Sequence, residues 1–191
     1  MLATPPFYTT YVQLPDANSP TPPEIEWSHK LYPFFDRALG AIDGTHIHCT
    51  SSAAGHDATR NHKGVLTQNC LAMCSFDLRF TYFLSGWEGS THNSTLFYDT
   101  RRVDFYIPSG KYYLADAGFA SSDALLVPYR NVWYHLSEWS CGKDAYIVHL
   151  FLKFLADVLP SPRNPKELFN LRHASARNAI EQIFGILKQH F

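Results

Sequence analysis

The sequence carries no excess of positive charge and little charge of either sign. It has 16 Lys and Arg residues against 17 Asp and Glu residues, a formal net charge of −1, and charged residues make up 17% of the chain. Domains that bind nucleic acid on their own usually carry a strongly basic face. The balance excludes a chain that is basic throughout, so any contact with nucleic acid has to come from a local patch or from another part of the protein.

Segments that direct a protein to secretion or to a membrane are also lacking. The first residues, MLATPPFYTTYVQLP, have neither the basic start nor the continuous apolar core of a signal peptide. No apolar run approaches the length of a membrane helix, roughly 20 residues. We therefore expect a soluble, intracellular protein.

Closely spaced cysteine pairs are absent. The four cysteines are Cys49, Cys70, Cys74 and Cys141, and no two of them form a CxxC pair. A four-residue step along a strand puts Cys70 and Cys74 on one face. We expect small buried thiols in a reducing compartment.

Hydrophobic residues (46%) and aromatic residues (15%) are plentiful in the 191-residue chain, which predicts a globular domain with a real core. Residues 1–36 are rich in proline and are expected to form an irregular arm with a short helix, for which 26–39 carries the helical signal. Residues 37–191 are expected to form the domain itself.

Alternating apolar residues predict a mixed sheet with flanking helices, an α/β fold. A helix is expected to open near Asn93 or Ser94, both good N-caps. Helical spacing of Ile180, Ile183, Phe184, Leu187 and Phe191 predicts a last helix over 173–191, and 146–158 is a further possible helix. The predicted strands are 41–49, 66–75, 79–85 and 111–115.

Carboxylates follow two of the predicted strands. Asp43 and Asp116 each come at the end of an apolar strand, where sheet proteins place ligand sites. Glu181 lies on the last helix, beside its apolar face. Two strand-end aspartates and a helical glutamate supply the hard oxygen ligands that Mg²⁺ and Mn²⁺ prefer, although scattered structural acids give the same pattern.

Arg177 and Lys188 flank Glu181 on the helical wheel. With Ile180 at zero, Arg177 falls at about 60°, Lys188 at about 80° and Glu181 at about 100°. The three therefore form a polar ridge next to the packing face, and not opposite to it. A surface salt bridge between Arg177 and Glu181, four residues apart, is the simpler alternative.

The chain resembles the nuclease domain of Harbinger-type (PIF) transposases and their domesticated descendants. The matching stretches follow in the family's order over roughly three quarters of the chain, as LGAIDGTHI (39–47), NHKGVLTQNCLAMCSFDLRFTYFLSGWEGSTHNS (61–94), YYLADAGF (112–119), PYR (128–130) and NLRHASARNAIEQIFGILKQHF (170–191). The ordered set is far more specific than any one of these motifs.

The resemblance implies an RNase H-like fold and a DDE nuclease. Position by position, it makes Asp43, Asp116 and Glu181 the catalytic carboxylates, which hold two divalent ions, Mg²⁺ or Mn²⁺. It further implies DNA as substrate, a Myb-like DNA-binding partner protein, and a nuclear location with the cytoplasm as an additional one.

Three departures from the family's pattern weaken the expectation of activity. Asn93 stands in GSTHNS where the family usually has an aspartate. The interval from Asp116 to Glu181 is longer than usual, which predicts an insertion over 131–165. The family's upstream helix-turn-helix has no counterpart, so the chain is expected to be a fragment or a truncated copy. The alternative function is a catalytically inactive copy that acts as a protein- or DNA-binding module.

Histidines and basic residues give weaker signals. We expect His46 and His92 to contact phosphate or support the carboxylates, with a purely structural role as the alternative. Arg177 and Lys188 are candidates for contacts with nucleic acid. A zinc site at His46, His48, His56 and His62 is disfavoured, because structural zinc sites usually include closely spaced cysteines.

Overall fold

The structure, a computed structural model, describes residues 13–48, 67–88, 91–132 and 162–190. Within these ranges no helix is long and apolar enough to cross a membrane. The elements in chain order are α1 (Pro23–Glu26), β1 (Ala38–His48), β2 (Thr67–Cys74), β3 (Phe80–Glu88), α2 (Asn93–Val103), β4 (Tyr112–Leu114), β5 (Leu125–Leu126) and α3 (Pro165–His190).

The five strands form one mixed sheet in the order β3-β2-β1-β4-β5. β1, β2 and β3 run antiparallel as a meander, while β4 pairs parallel with β1 and β5 parallel with β4. A sheet of this order with helices flanking it is an α/β, RNase H-like fold, and that prediction is confirmed. The predicted insertion before the last helix and the possible helix at 146–158 fall mostly or wholly on 133–161, outside the described residues.

Alternation along β1 places a core on each face of the sheet. Ile42 packs with Leu96 and Phe97 of α2, whereas the preceding Ala41 packs with Ile180 and Phe184 of α3. Successive side chains of a strand point to opposite faces, so Asp43 faces the same side as Ala41. The side chain of Asp43 therefore points towards α3.

The helical signal over 26–39 is wrong in its position. The helix there is α1, which ends at Glu26; turns follow to Arg37, and Leu39 lies in β1. Pro33 explains the difference, because proline lacks an N–H group and restricts the residue before it to extended conformations. Phe34 is 62% exposed, because no helix continues through it to place it on a buried apolar face.

The last helix begins earlier than predicted, at Pro165 instead of 173. Asn164 caps it, since its Oδ1 accepts a hydrogen bond from the Glu167 amide at 2.9 Å. Proline at the first helical position and glutamate at the third are the usual companions of such a cap. Ile180, Ile183 and Phe184 are buried, which confirms the described part of the predicted packing face.

Candidate active site

The prediction that Asp43 comes at the end of a strand is wrong: Asp43 lies near the middle of β1, because the pairing of β1 with β2 continues to His48. Its side chain faces α3 and is 20% exposed. Its Oδ2 accepts a hydrogen bond from Nη1 of Arg177 at 3.0 Å, and its Oδ1 accepts one from the Gly44 amide at 2.7 Å. A carboxylate in a partly dry site is normally held by such donors, because desolvation disfavours its charge.

Asp116 reaches the same region through the register of the sheet. Ala41 of β1 pairs with Leu114 of β4, and the two strands are parallel. Asp43 and Asp116 therefore each come two residues beyond this paired position, on neighbouring strands. Asp116 is held in a tight turn, in which the Gly118 amide donates to its Oδ1 at 2.9 Å.

Glu181 comes from α3 and is joined to Asp43 by Arg177. Nη2 of Arg177 donates to Oε1 of Glu181 while Nη1 donates to Asp43. The Arg177 side chain is only 11% exposed, against 36% for Glu181. The predicted proximity of Arg177 and Glu181 is confirmed, and the pair is more than a surface salt bridge because it includes Asp43. Lys188, the third member of the predicted ridge, is exposed near the end of α3.

The charges of the site act on one another. The pKa of Asp43 is raised from its ordinary 3.8 to about 6; burial is the largest cause and the negative charges of Asp116 and Glu181 act in the same direction, while Arg177 and the Gly44 amide oppose them. Three carboxylates from three separate elements, β1, the turn after β4, and α3, are thus close enough to interact electrostatically.

The donor chemistry of these residues fits a divalent cation. Carboxylate oxygens are the ligands that Mg²⁺ and Mn²⁺ favour, and mutual repulsion between three of them is relieved by a cation. The side chains as placed do not form a coordination shell, however. Among the described residues, no three His, Cys, Asp or Glu side chains form a group that could hold a metal ion. Asp43 and Glu181 are instead joined through the guanidinium of Arg177.

An open polar cavity of about 210 Å³ lies on the other side of Asp116, where α2 begins. Its lining residues all carry polar side chains or a bare backbone, and they are His46, Asn69, Thr91, His92, Asn93, Ser94, Asp116 and Gly118. His46 and His92, which we expect near the carboxylates, line this cavity together with Asp116, while their contacts with phosphate stay a prediction. Nδ1 of His46 is also 3.2 Å from Oγ1 of Thr67.

Asn69 is a cavity residue that sequence reasoning missed. It is 1% exposed, and its Nδ2 donates to the Thr91 carbonyl at 2.6 Å and to Oδ1 of Asn93 at 3.2 Å. An amide within the buried strand TQNCLAMC was the available signal, because buried polar side chains need partners.

Asn93 is the first residue of α2, and His92, not Asn93 or Ser94, is the N-cap. The Asn93 amide packs against Gly44, so closely that a Cβ added at Gly44 would lie 2.0 Å from its Oδ1. The residue that departs from the family's pattern thus touches the backbone next to Asp43. It belongs to the wall between the cavity and the carboxylates.

The structure describes only some of the cysteines and of the histidines in the disfavoured zinc grouping. Cys70 and Cys74 are buried and form no disulfide, as expected. His56 and His62 of the disfavoured zinc grouping, together with Cys49 and Cys141, lie outside the described residues.

The comparisons with known proteins give one match. Residues 42–191 match the family model described as DDE superfamily endonuclease, and this range contains Asp43, Asp116 and Glu181. No curated protein and no solved structure matches the chain.

Proposed function

The chain belongs to the DDE superfamily endonuclease family, and from that membership we propose that it is a metal-dependent nuclease domain that cleaves phosphodiester bonds in DNA. Asp43, Asp116 and Glu181 are the proposed catalytic carboxylates and metal ligands. Two Mg²⁺ or Mn²⁺ ions held there would activate the attacking water and stabilise the leaving oxygen.

The observation that carries this proposal is the convergence of the three carboxylates. Asp43 and Asp116 each lie two residues beyond a paired position of the adjacent parallel strands β1 and β4, and Arg177 joins Glu181 of α3 to Asp43. Acids scattered for structural reasons would not be expected to raise one another's pKa, as Asp116 and Glu181 do for Asp43.

The chain's own residues supply the positioning. The Gly44 and Gly118 amides each donate to one carboxylate oxygen and so orient the carboxylates of Asp43 and Asp116. The cavity beside Asp116 offers His46, His92 and Ser94 as hydrogen-bonding groups for a phosphate. DNA entering from this side would meet the carboxylates at Asp116.

A plasmid-cleavage assay tests the proposal. The full chain is expected to nick or linearise supercoiled DNA with Mn²⁺ or Mg²⁺ and to be inactive with EDTA. Asp116→Asn keeps the shape of the side chain but removes its charge, and is expected to lower the cleavage rate at least about a hundredfold, the scale of removing one electrostatic group at a reacting centre.

Asp123→Asn is the matched control, because Asp123 is an exposed aspartate in the connection between β4 and β5. It should cleave at the wild-type rate. Cleavage that survives Asp116→Asn, or that proceeds equally in EDTA, would contradict the proposal.

We propose further that the chain is of the Harbinger type and acts in the nucleus with a Myb-like DNA-binding protein. The ordered motifs from LGAIDGTHI to the last helix support the subtype, and the near-neutral charge supports a partner that supplies DNA binding. Microscopy of the tagged chain and co-purification with a Myb-like protein from the same cells would test both.

The second candidate function is a catalytically inactive module that binds protein or DNA. The pairing of Arg177 with two of the three carboxylates and the presence of Asn93 favour it. Metal-independent DNA binding, with no cleavage under any divalent ion, would select this candidate.

A further inference from the structure

Arg177 is a largely buried cation at the centre of the carboxylate group. Its side chain is 11% exposed, and its two terminal nitrogens contact different partners, Nη1 with Asp43 and Nη2 with Glu181. The planar guanidinium suits this arrangement, because its fork presents several donors in fixed directions. The partners lie on β1 and α3, so the contact also ties the helix to the sheet.

The oxygens that Arg177 contacts belong to the proposed metal ligands. Oδ2 of Asp43 and Oε1 of Glu181 each accept a hydrogen bond from it. A divalent cation would need carboxylate oxygens of the same residues, and in the described part of the chain no three potential ligands, these included, are grouped closely enough to hold a metal ion. The guanidinium and a metal ion therefore compete for the same charges.

We propose that Arg177 is a built-in counter-ion, which offsets the charge of Asp43 and Glu181 without metal and must release one of these two carboxylates when a divalent cation binds. This inference rests on the proposed function and adds a regulatory step to it. A largely buried carboxylate that is left without a positive partner destabilises the folded protein. In the metal-free protein, Arg177 is that partner for Asp43.

Two consequences follow from the competition. In the metal-free domain, the contacts with Arg177 hold Asp43 and Glu181 in place and offset part of the repulsion among the carboxylates. Metal binding is weaker than the three carboxylates alone would give, because a positive charge has to move away from the incoming ion.

Titration calorimetry with Mn²⁺ on the full chain tests the inference with two substitutions. Arg177→Gln removes the charge and is expected to tighten Mn²⁺ binding at least roughly tenfold, since one like charge near the ion disappears. Arg177→Lys keeps the charge and is the matched control, with an affinity close to that of the wild type.

The outcomes separate this inference from the proposed function. Equal or weaker Mn²⁺ binding by Arg177→Gln, with clear binding by the wild type, overturns the counter-ion role and leaves the nuclease proposal standing. If neither the wild type nor Arg177→Gln binds Mn²⁺, both proposals fail.

A second measurement observes Arg177 directly in the wild-type chain. In the wild-type chain, the Nε–Hε signal of Arg177 in a nitrogen-15 NMR spectrum should shift as Mg²⁺ is added and saturate together with metal binding. Arg177→Lys identifies the signal by its loss. An Arg177 signal that stays unchanged while Mg²⁺ binds would show that the guanidinium is not displaced, and would overturn the inference.

Discussion

The carboxyl group of Asp43 lies where ionisation is costly. Its pKa is raised to about 6, with burial as the largest cause and the charges of Asp116 and Glu181 acting in the same direction. The only opposing influences among the causes of the shift are Arg177 and the Gly44 amide. Without a metal ion, an ionised carboxylate in such a position needs a positively charged partner, and Arg177 is that partner.

The raised pKa of Asp43 predicts a specific dependence of stability on pH. Between pH 3.8 and about 6 the folded protein holds the Asp43 proton more tightly than the unfolded chain does. The contribution of Asp43 to the free energy of unfolding therefore falls as pH rises through that window. The shift corresponds to a loss of up to about 3 kcal/mol.

Urea unfolding of the wild type and of Asp43→Asn at several pH values measures this contribution. The stability of the wild type relative to the variant should decrease from pH 4 to pH 7. A difference that stays constant, or that grows with pH, would contradict the assignment.

The contact between Gly44 and Asn93 predicts a pair of substitutions that compensate each other. Gly44→Ala would place a Cβ 2.0 Å from Oδ1 of Asn93, so the Asn93 side chain has to move. We expect a loss of about 1–3 kcal/mol, the usual cost of overpacking. Asn93→Ala removes the obstructing amide, and Gly44→Ala should cost much less in that background.

Gly40→Ala is the contrasting control, because its Cβ would lie 1.9 Å from the backbone carbonyl oxygen of Cys74. No side-chain truncation at Asn93 can relieve that contact. Equal costs for Gly44→Ala with and without Asn93 would show that the wall of the cavity is arranged differently.

At the scale of elements, α3 connects the site to the rest of the fold. It covers the face of the sheet that carries Ala41 and Asp43, and it brings Arg177 and Glu181 to that face. One turn earlier, His173 is fully buried, and its Nε2 lies 2.8 Å from the Leu126 carbonyl oxygen of β5. The same helix therefore anchors the parallel edge of the sheet next to the proposed site.

His173 predicts a pH dependence of the opposite sign to that of Asp43. Burial lowers the pKa of His173 from 6.5 to about 4, so between these values the unfolded chain binds the proton and the folded protein does not. The contribution of His173 to stability is present above pH 6.5 and is lost as pH falls towards 4, by up to about 3 kcal/mol.

His173→Gln replaces the ring by a group that does not titrate. The wild type should lose stability relative to this variant as pH falls from 6.5 to 4, in chemical denaturation followed by circular dichroism. Parallel pH profiles for the two proteins would mean that His173 is not held neutral in the folded state.

For the whole molecule, the sequence was sufficient to predict a mixed sheet with a helix on each face, because alternating and helical apolar patterns are recognisable. The helical wheel placed Glu181 beside the packing face, whereas the assignment of Asp43 to a strand end was wrong because β1 continues to His48. The roles of Asp43, Asp116 and Glu181 stay predictions. The contact between Arg177 and Asp43 could not be predicted, because it depends on how α3 crosses β1, over a separation of 134 residues. β5 was missed because two residues, Leu125 and Leu126, give no periodicity.

The start of α3 was also predicted wrongly. Asn164, Pro165 and Glu167 form a recognisable start signal for a helix, but Asn164 and Pro165 lie within residues 131–165, for which the sequence predicts an insertion. His173 was missed as a buried residue because histidine is found both inside and outside proteins.

The central claim is that Asp43, Asp116 and Glu181 form a site for divalent cations. Titration calorimetry with Mn²⁺ at about pH 7.5, where Asp43 is ionised, tests it most directly on the full wild-type chain and on Asp43→Asn, with the exposed Glu26→Gln as control. The wild type and Glu26→Gln should bind Mn²⁺ with micromolar-to-millimolar affinity, while Asp43→Asn should lose that binding because a carboxylate ligand is gone. Absence of binding by the wild type, or unchanged binding by Asp43→Asn, would contradict the claim.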